Sequence, residues 1–337
     1  MHQSCLQIRD FALNFAGRVD GDQKCVALCC EPIDDVPAVA LGVTGEETIA
    51  AFRTMRERVL LECLSPNEER LFTGGCLKCA NFRMGEWEDK YLIGYVNLSM
   101  YPSPCQSKCL YCGVGMEAPG DRAAEGYEKV FDALEYALGV GLIAPKAFWQ
   151  VSCGEITIHP YRDRILDIVQ DRAAAFYTNC FRFDFQIAAN LATNPMSSIN
   201  LSIDSGTRDT WRRVKGVDNF GSVVENLAKY RESSARAGQI TLKYIVLPGV
   251  NDGQADYEAV VGLMKALGTN HLTLARDART KYNDCGEEQD RLVASAGRLV
   301  ALLRTSGLTC DMFTFSPAEK EKAARFAARV VMGAANR

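Results

Sequence analysis

Short apolar runs alternate with longer amphipathic stretches along the chain after about residue 91. The short runs are rich in β-forming residues, and in the longer stretches apolar residues recur at helical spacing. The runs predict six strands, at 94–100, 147–152, 173–178, 198–203, 240–247 and 271–275. The stretches between them predict helices at 123–138, 161–170, 183–192, 223–237 and 255–267. This alternation is typical of a parallel α/β architecture.

Six strands are too few for a closed eight-stranded barrel, and they favour an incomplete, TIM-like (β/α)6 barrel that is open on one side. A helix at 287–303, a strand at 308–315 and a last helix from Ala318 are predicted beyond the sixth strand, where they would form a cap. We therefore expect a cysteine-rich segment 1–90, a barrel 91–276 and a C-terminal α/β cap 277–337. In such folds the chemistry lies at the carboxyl ends of the strands.

Composition narrows the class of protein. The chain has 337 residues, 47% of them apolar, which is enough to bury a barrel-sized core. The formal net charge of -4 provides no overall basic surface, so nucleic acid is not expected as a partner. The chain has no long uninterrupted apolar run, and its N-terminus does not resemble a signal peptide, so we expect no membrane association and a cytoplasmic location. In a reducing compartment, 14 cysteines favour metal binding or catalysis over disulfides.

Three cysteines follow the first predicted strand directly. Cys105, Cys109 and Cys112 form a C-x3-C-x2-C triplet. Three thiolates from one short loop can hold three irons of a cubane [4Fe-4S] cluster, which leaves the fourth iron open for a small molecule. Structural zinc is the alternative, but it would need a fourth Cys or His nearby. The closest downstream candidate, His159, lies beyond a predicted helix, so the triplet favours an iron–sulfur cluster.

The triplet, with aromatic Tyr111 directly before its last cysteine, resembles the signature of the radical S-adenosylmethionine (AdoMet) enzymes. The resemblance extends in order over about residues 91–276. It implies a partial barrel, a [4Fe-4S] cluster, and AdoMet bound through its amino and carboxylate groups to the open iron. It also implies reductive cleavage of AdoMet, hydrogen abstraction from a substrate by the 5′-deoxyadenosyl radical, and an electron donor such as flavodoxin or ferredoxin.

The resemblance further implies AdoMet contacts at the strand ends. Gly154 and Glu155 match part of the family's Gly-Gly-Glu-Pro motif, which holds the methionine amino group; Cys and Ile stand where the family has its first Gly and its Pro. Asn179, Ser202 and Asp204 follow or end the third and fourth strands, where family members contact the ribose and carboxylate of AdoMet. Capping of the following helices is the alternative role for such residues.

Residues on later elements complete the expected AdoMet site. Arg212 or Arg213, on the helix after the fourth strand, could pair with the AdoMet carboxylate through a guanidinium fork, with a solvated helix face as the alternative. Val246 and Leu247 could pack against adenine or simply belong to the core. Tyr111 is a further candidate for cofactor contact.

The N-terminal segment has a cysteine pattern of its own. Cys76 and Cys79 form a C-x2-C pair, Cys29 and Cys30 are adjacent, and Cys5 opens the segment. This order resembles the auxiliary-cluster extensions called SPASM or Twitch domains, placed here before the barrel instead of after it. Cys5, one of the adjacent pair and the C-x2-C cysteines would supply four thiolates for a second [4Fe-4S] cluster. Tetrahedral zinc on the same sulfurs is the alternative.

These patterns together predict a radical AdoMet enzyme that abstracts hydrogen from a peptide or a small polar metabolite. A tRNA-modifying radical enzyme is one alternative and would need a local basic groove. A non-enzymatic iron–sulfur or zinc-binding protein is the other, and it would have no use for polar residues at the strand ends.

Overall fold

The computed structural model of the chain describes residues 2–20, 25–29, 37–63, 82–85, 90–112, 120–152, 154–277, 279 and 286–335. The chain divides into two units. The first comprises Met1–Cys105 and Val114–Tyr177, and the second comprises Gln106–Gly113 and Thr178–Arg337. Among the described residues, no helix combines the length and the apolar character that a membrane crossing requires.

Parallel strands form the centre of the first unit. Its strands are β1 (His2–Cys5), β2 (Ala12–Phe15), β3 (Val26–Ala27), β4 (Ala38–Val39), β5 (Phe82–Gly85), β6 (Ile93–Leu98), β7 (Ile143–Val151) and β8 (Ala174–Tyr177). The order β8-β7-β6-β2 is parallel, and β3 and β4 continue it in antiparallel pairing. Strands β1 and β5 form a separate antiparallel pair. The helices are α1 (Leu6–Arg9), α2 (Gly45–Cys63), α3 (Asp121–Gly139) and α4 (Arg162–Val169), with a 3-10 turn at Ile156–Ile158.

Helix α3 shows why this unit folds as it does. Its residues Tyr127, Val130, Phe131 and Leu134 recur at intervals of three or four and are fully buried. One continuous apolar stripe therefore faces the core, while the charged residues between them stay in water. Helix α2 packs against α3.

The second unit repeats a strand-then-helix pattern. Its strands β9 (Ser198–Ser202), β10 (Ile240–Val246), β11 (His271–Arg276) and β12 (Thr309–Met312) pair in parallel in the order β12-β11-β10-β9. Its helices are α5 (Phe185–Thr193), α6 (Arg208–Lys215), α7 (Phe220–Ser233), α8 (Gln254–Leu267), α9 (Gly286–Thr305) and α10 (Pro317–Ala335), with a 3-10 turn at Ala237–Gln239. In a parallel sheet the loops after the strands lie at one edge, where the candidate residues of this unit are found.

The predicted α/β class with open, mainly parallel strands is confirmed, and each of the six predicted strands has a counterpart in β6 to β11. The sequence did not predict β2, which pairs in parallel with β6, or helix α2. All four residues of β2 are buried, so the strand lacks the alternation of apolar and polar residues that marks a half-exposed strand. The domain bounds 1–90, 91–276 and 277–337 stay a prediction.

Candidate cofactor site

The cysteine loop begins where β6 ends. Cys105, Cys109 and Cys112 are half-buried, and none is in a disulfide. The Cys112 amide donates a hydrogen bond of 3.0 Å to the Cys109 carbonyl oxygen, which closes a turn between the last two cysteines. Partly exposed thiols on a loop at the carboxyl end of a parallel strand are suitable ligands for a metal centre.

The end of α6 supports this loop through the backbone. The amides of Lys108 and Leu110 donate hydrogen bonds of 2.9 Å to the carbonyl oxygens of Lys215 and Val214, respectively. The last carbonyl groups of a helix have no partner within the helix, so the loop satisfies two of them. Gly216 ends the helix with φ of +70°, and a β-carbon there would lie 2.9 Å from the Lys108 β-carbon. Glycine thus permits both the left-handed cap and the close approach of the loop.

A buried ion pair lies beside Tyr111 in the second unit. The Lys215 ammonium donates hydrogen bonds to Asp204 Oδ2 at 2.6 Å, to the Tyr111 hydroxyl at 2.5 Å and to the Ser202 carbonyl oxygen at 2.6 Å. The Tyr111 hydroxyl is also hydrogen-bonded to Asp204 Oδ2. The side chains of Lys215 and Asp204 are only 4% and 0% exposed. All three ammonium hydrogens therefore have an acceptor, as a buried charge requires.

Charges in this cluster act on the neighbouring thiol and phenol. Burial raises the pKa of the Cys109 thiol, the Lys215 ammonium opposes that rise, and the Asp204 carboxylate adds to it. Burial and the Asp204 carboxylate raise the pKa of Tyr111 well above its ordinary value. The Tyr111 hydroxyl is therefore protonated at neutral pH and can donate a hydrogen bond.

Asp204 is held from several sides. It has φ of +48°, its Oδ1 accepts a hydrogen bond of 2.5 Å from the Ile245 amide, and its carbonyl oxygen accepts one of 2.9 Å from Asn251 Nδ2. Both carboxylate oxygens thus have protein donors. The structure places this predicted AdoMet contact in the interior, and the Ser202 carbonyl oxygen beside it bonds Lys215. Contact of either residue with AdoMet stays a prediction.

In the first unit, the predicted Gly-Glu pair lies against the residues that precede Cys105. Gly154 has φ of +57°, and a β-carbon there would lie 2.6 Å from Ser103 Cβ. The Glu155 amide donates a hydrogen bond of 2.9 Å to the Pro104 carbonyl oxygen. The Glu155 carboxylate is buried and accepts hydrogen bonds from the Thr157 amide and hydroxyl at 3.1 and 2.7 Å.

A buried polar cluster lies beneath this contact. The Ser103 hydroxyl lies 2.6 Å from the Met100 carbonyl oxygen and 2.9 Å from the Tyr127 hydroxyl, which lies 2.9 Å from the Pro102 carbonyl oxygen. Each hydroxyl has one hydrogen to donate, so two of these three contacts are hydrogen-bonded at any one time. His159 stands edge-on to the Tyr127 ring with 4.9 Å between ring centres. Burial lowers the pKa of His159 to about 4, so this imidazole is neutral at physiological pH.

Two other predicted contacts lie at the surface or within a turn. Asn179 accepts a hydrogen bond of 2.9 Å from the Phe181 amide, and its Nδ2 lies 3.5 Å from the Ser107 hydroxyl, next to the cysteine loop. The Arg212 side chain is 63% exposed and lies 3.8 Å from Asp209. Their roles as AdoMet contacts stay predictions.

Comparison with known proteins assigns the family. Residues 103–259, which include the cysteine triplet and the predicted AdoMet contacts, match the family model described as the radical SAM superfamily. These residues belong to the radical SAM superfamily. The superfamily implies a [4Fe-4S] cluster and AdoMet, and the three thiols of the triplet are a donor set that fits such a cluster.

Two curated radical SAM relatives match about half of the chain. GTP 3',8-cyclase of Geobacter sulfurreducens is 28% identical over 170 residues, 49% of this chain and 50% of that protein. Mycofactocin maturase MftC of Mycobacterium ulcerans is 26% identical over 158 residues, 45% of this chain and 40% of that protein. The chain spans about half the length or less of these relatives.

Solved structures resemble the chain more distantly. The peptide-bound structure of SuiB from Streptococcus suis aligns with a TM-score of 0.45 and 15% identity, covering 79% of this chain and 62% of that one. A radical SAM methyltransferase from Sphaerobacter thermophilus aligns with a TM-score of 0.42 and 17% identity, covering 62% and 63% of the two chains.

A cavity of about 250 Å³ in the second unit lies at the carboxyl ends of β10 and β11. Its lining consists of Leu110, Val246, Leu247, Pro248, Val250, Arg276, Asp277, Arg279, Glu288, Gln289 and Leu292. Apolar walls with a few polar groups are typical of small-molecule sites. Val246 and Leu247, the predicted adenine contacts of this radical SAM chain, line the cavity, and their contact with adenine stays a prediction.

The predicted ligands of a second cluster are only partly described. Cys5 and Cys29 are half-buried, whereas Cys30, Cys76 and Cys79 lie outside the described residues. Across the part of the chain that the structure describes, no three His, Cys, Asp or Glu side chains are close enough to hold a metal ion. The ligand assignments therefore rest on the donor chemistry of the cysteines and, for the triplet, on the radical SAM family.

The sequence pattern did not identify Lys215, the centre of the polar cluster beside Tyr111. Trp211, Val214 and Lys215 are all buried on one face of α6. Residues four apart share a helix face, so Lys215 lies on the same face as the apolar Trp211. This spacing is the signal that could have identified it.

Proposed function

We propose that this radical SAM protein holds a [4Fe-4S] cluster on Cys105, Cys109 and Cys112, cleaves AdoMet, and abstracts hydrogen from a peptide or a small polar metabolite. The observation that carries the proposal is the cysteine triplet on the loop after β6, within the segment that matches the family model. When bound, the reduced cluster supplies the electron that cleaves the carbon–sulfur bond of AdoMet.

The chain's own residues would bind and orient AdoMet. Gly154 has no side chain and therefore allows its backbone to lie close to Ser103 and Pro104, which precede Cys105, and Glu155 follows it. Asn179, beside Ser107 of the loop, offers an amide for the ribose or carboxylate. The exposed Arg212 guanidinium is available to a carboxylate. Apolar walls at Val246 and Leu247 are suited to exclude water from a flat heterocycle.

Anaerobic reconstitution of the full chain with iron and sulfide tests the assignment. We expect at least about four irons per chain, together with formation of 5′-deoxyadenosine from AdoMet under reduction. Replacement of Cys105, Cys109 and Cys112 by alanine should abolish 5′-deoxyadenosine formation, while Cys310→Ala should leave it unchanged. Turnover that survives the triple replacement would refute the proposal, and zinc binding without turnover would favour the non-enzymatic alternative.

An auxiliary cluster on Cys5, Cys29 or Cys30, Cys76 and Cys79 is a separate part of the proposal. If it is present, the wild-type chain should hold about eight irons, and the paired change of Cys76 and Cys79 to alanine should lower this to about four. Cleavage of AdoMet by the triplet should persist in that variant. A wild-type chain with about four irons would refute the auxiliary cluster alone, and zinc on these cysteines would favour the alternative metal.

The substrate class follows from a different measurement. One relative is named as a GTP cyclase and the other as a maturase, so both a small metabolite and a larger substrate are candidates for this chain. Deuterated peptides and polar metabolites should transfer label into 5′-deoxyadenosine if they are attacked. Label transfer only from tRNA would favour the tRNA-modifying alternative. Flavodoxin or ferredoxin is the expected electron donor, and each can be compared with dithionite in the same assay.

A further inference from the structure

The ammonium of Lys215 is buried, and removing a charge from water costs free energy. Its Nζ has three acceptors within 2.6 Å, in Asp204, Tyr111 and Ser202. It also lies 5.1 Å from the centre of the Tyr111 ring and 5.4 Å from that of Trp211. Burying an ion pair often contributes little to stability, because desolvation offsets the attraction. A role at the neighbouring loop is therefore a better reason for this charge than stability alone.

The charge lies beside the segment that carries Cys109 and Cys112. Tyr111 lies between these two cysteines in the sequence, and its hydroxyl is hydrogen-bonded to both Lys215 and Asp204. The same end of α6 holds the backbone of the loop through the amides of Lys108 and Leu110. Loop and helix end are thus joined at backbone and side-chain level, so the position of the ammonium relative to the loop is fixed.

We propose that Lys215 is a positioning residue that acts through Tyr111 on Cys109 and, with Asp204 as its counter-charge, sets the reduction potential of the cluster on the triplet. The inference rests on the proposed function, since it requires that cluster. Reduction adds negative charge, which a nearby ammonium stabilises and a nearby carboxylate destabilises.

The two charges should therefore have opposite effects when they are removed one at a time. Lys215→Met removes the positive charge and should shift the midpoint potential of the cluster to more negative values. Asp204→Asn removes the negative charge and should shift the potential to more positive values.

The experiment is a redox titration of the anaerobically reconstituted full chain, followed by electron paramagnetic resonance. Lys229→Met makes the same substitution on an exposed position of α7 and is the matched control. Shifts of opposite sign for the two site variants, with no shift for the control, are the expected result. Potentials that equal the control, or that move in the same direction, would overturn the proposal, because a purely structural role predicts loss of cluster without opposite shifts.

A second variant tests the proposal if Lys215→Met fails to retain the cluster. The double change of Lys215 to Met and Asp204 to Asn removes both charges and leaves no unpaired ion in the interior. Its potential should be more negative than that of Asp204→Asn alone, and equality of the two would overturn the proposal. A wild-type chain that forms no cluster on the triplet refutes the proposed function, whereas a wild-type cluster with active AdoMet cleavage and unshifted variants refutes only the role of Lys215.

Discussion

The contact between Gly154 and the residues before Cys105 predicts a large effect for one added methyl group. In Gly154→Ala, the new β-carbon would lie 2.6 Å from Ser103 Cβ and 2.7 Å from the Pro104 carbonyl oxygen. Both distances are too short for ordinary contact, and Pro104 opposes the methyl group with backbone, which cannot rotate away. To accept the methyl group, either the backbone at Ser103 and Pro104 or the segment that follows β7 must therefore move.

The magnitude has two parts. The left-handed φ of +57° at Gly154 costs an L-amino acid about 1–2 kcal/mol. Extra atoms forced into a packed region add about 1–3 kcal/mol. We therefore expect Gly154→Ala to lower the free energy of unfolding by about 2–5 kcal/mol. Gly141 in the same unit has φ of +69° and nothing within 4 Å of an added β-carbon, so Gly141→Ala should cost only the first part.

Urea unfolding followed by circular dichroism measures the difference between the two variants. Because both glycines belong to the first unit, their effects are read from the same transition. Iron retained after reconstitution gives a second reading, and it should fall in Gly154→Ala but not in Gly141→Ala. Equal loss of stability in the two variants would refute the reasoning, since the contact with Ser103 and Pro104 is what distinguishes them.

Two further predictions concern buried polar groups. The pKa of His159 is lowered from 6.5 to about 4, so the folded state binds fewer protons than the unfolded state between these values. Stability should therefore fall by about 2 kcal/mol from pH 7 to pH 5. In urea unfolding, His159→Asn should flatten this slope, and an unchanged slope in that variant would contradict the assignment. The Asp256 carboxylate accepts hydrogen bonds from the hydroxyls of Ser205, Thr207 and Thr210 and from the Gly206 and Thr207 amides. Asp256→Ala should lower the free energy of unfolding by about 3 kcal/mol or more, and the 90% exposed Asp209 is the control site. Similar losses for Asp256→Ala and Asp209→Ala in thermal unfolding would show that these bonds are not important.

The sequence predicted the β/α units of residues 91–276 well, because each strand and helix there buries one face or one run and shows it as periodicity. The same rule failed for β2, whose residues 12–15 are all buried and carry no alternation. In α6, the charge pattern pointed to Arg212 and Arg213 as candidate AdoMet contacts. It did not point to Lys215, which lies on the buried face with Trp211.

Spacing along the chain was sufficient to predict the cysteine loop and the family, because ligands of one cluster can come from a single short segment. The surroundings of that loop depended on the tertiary structure. Tyr111 is separated from Asp204 by 93 residues and from Lys215 by 104, and these side chains meet only when the loop docks on the end of α6. A local sequence pattern indicates which residues are buried and where turns occur. It does not indicate which charged side chain from a distant part of the chain will lie beside a given thiol. That pairing is decided by packing of the strands and helices.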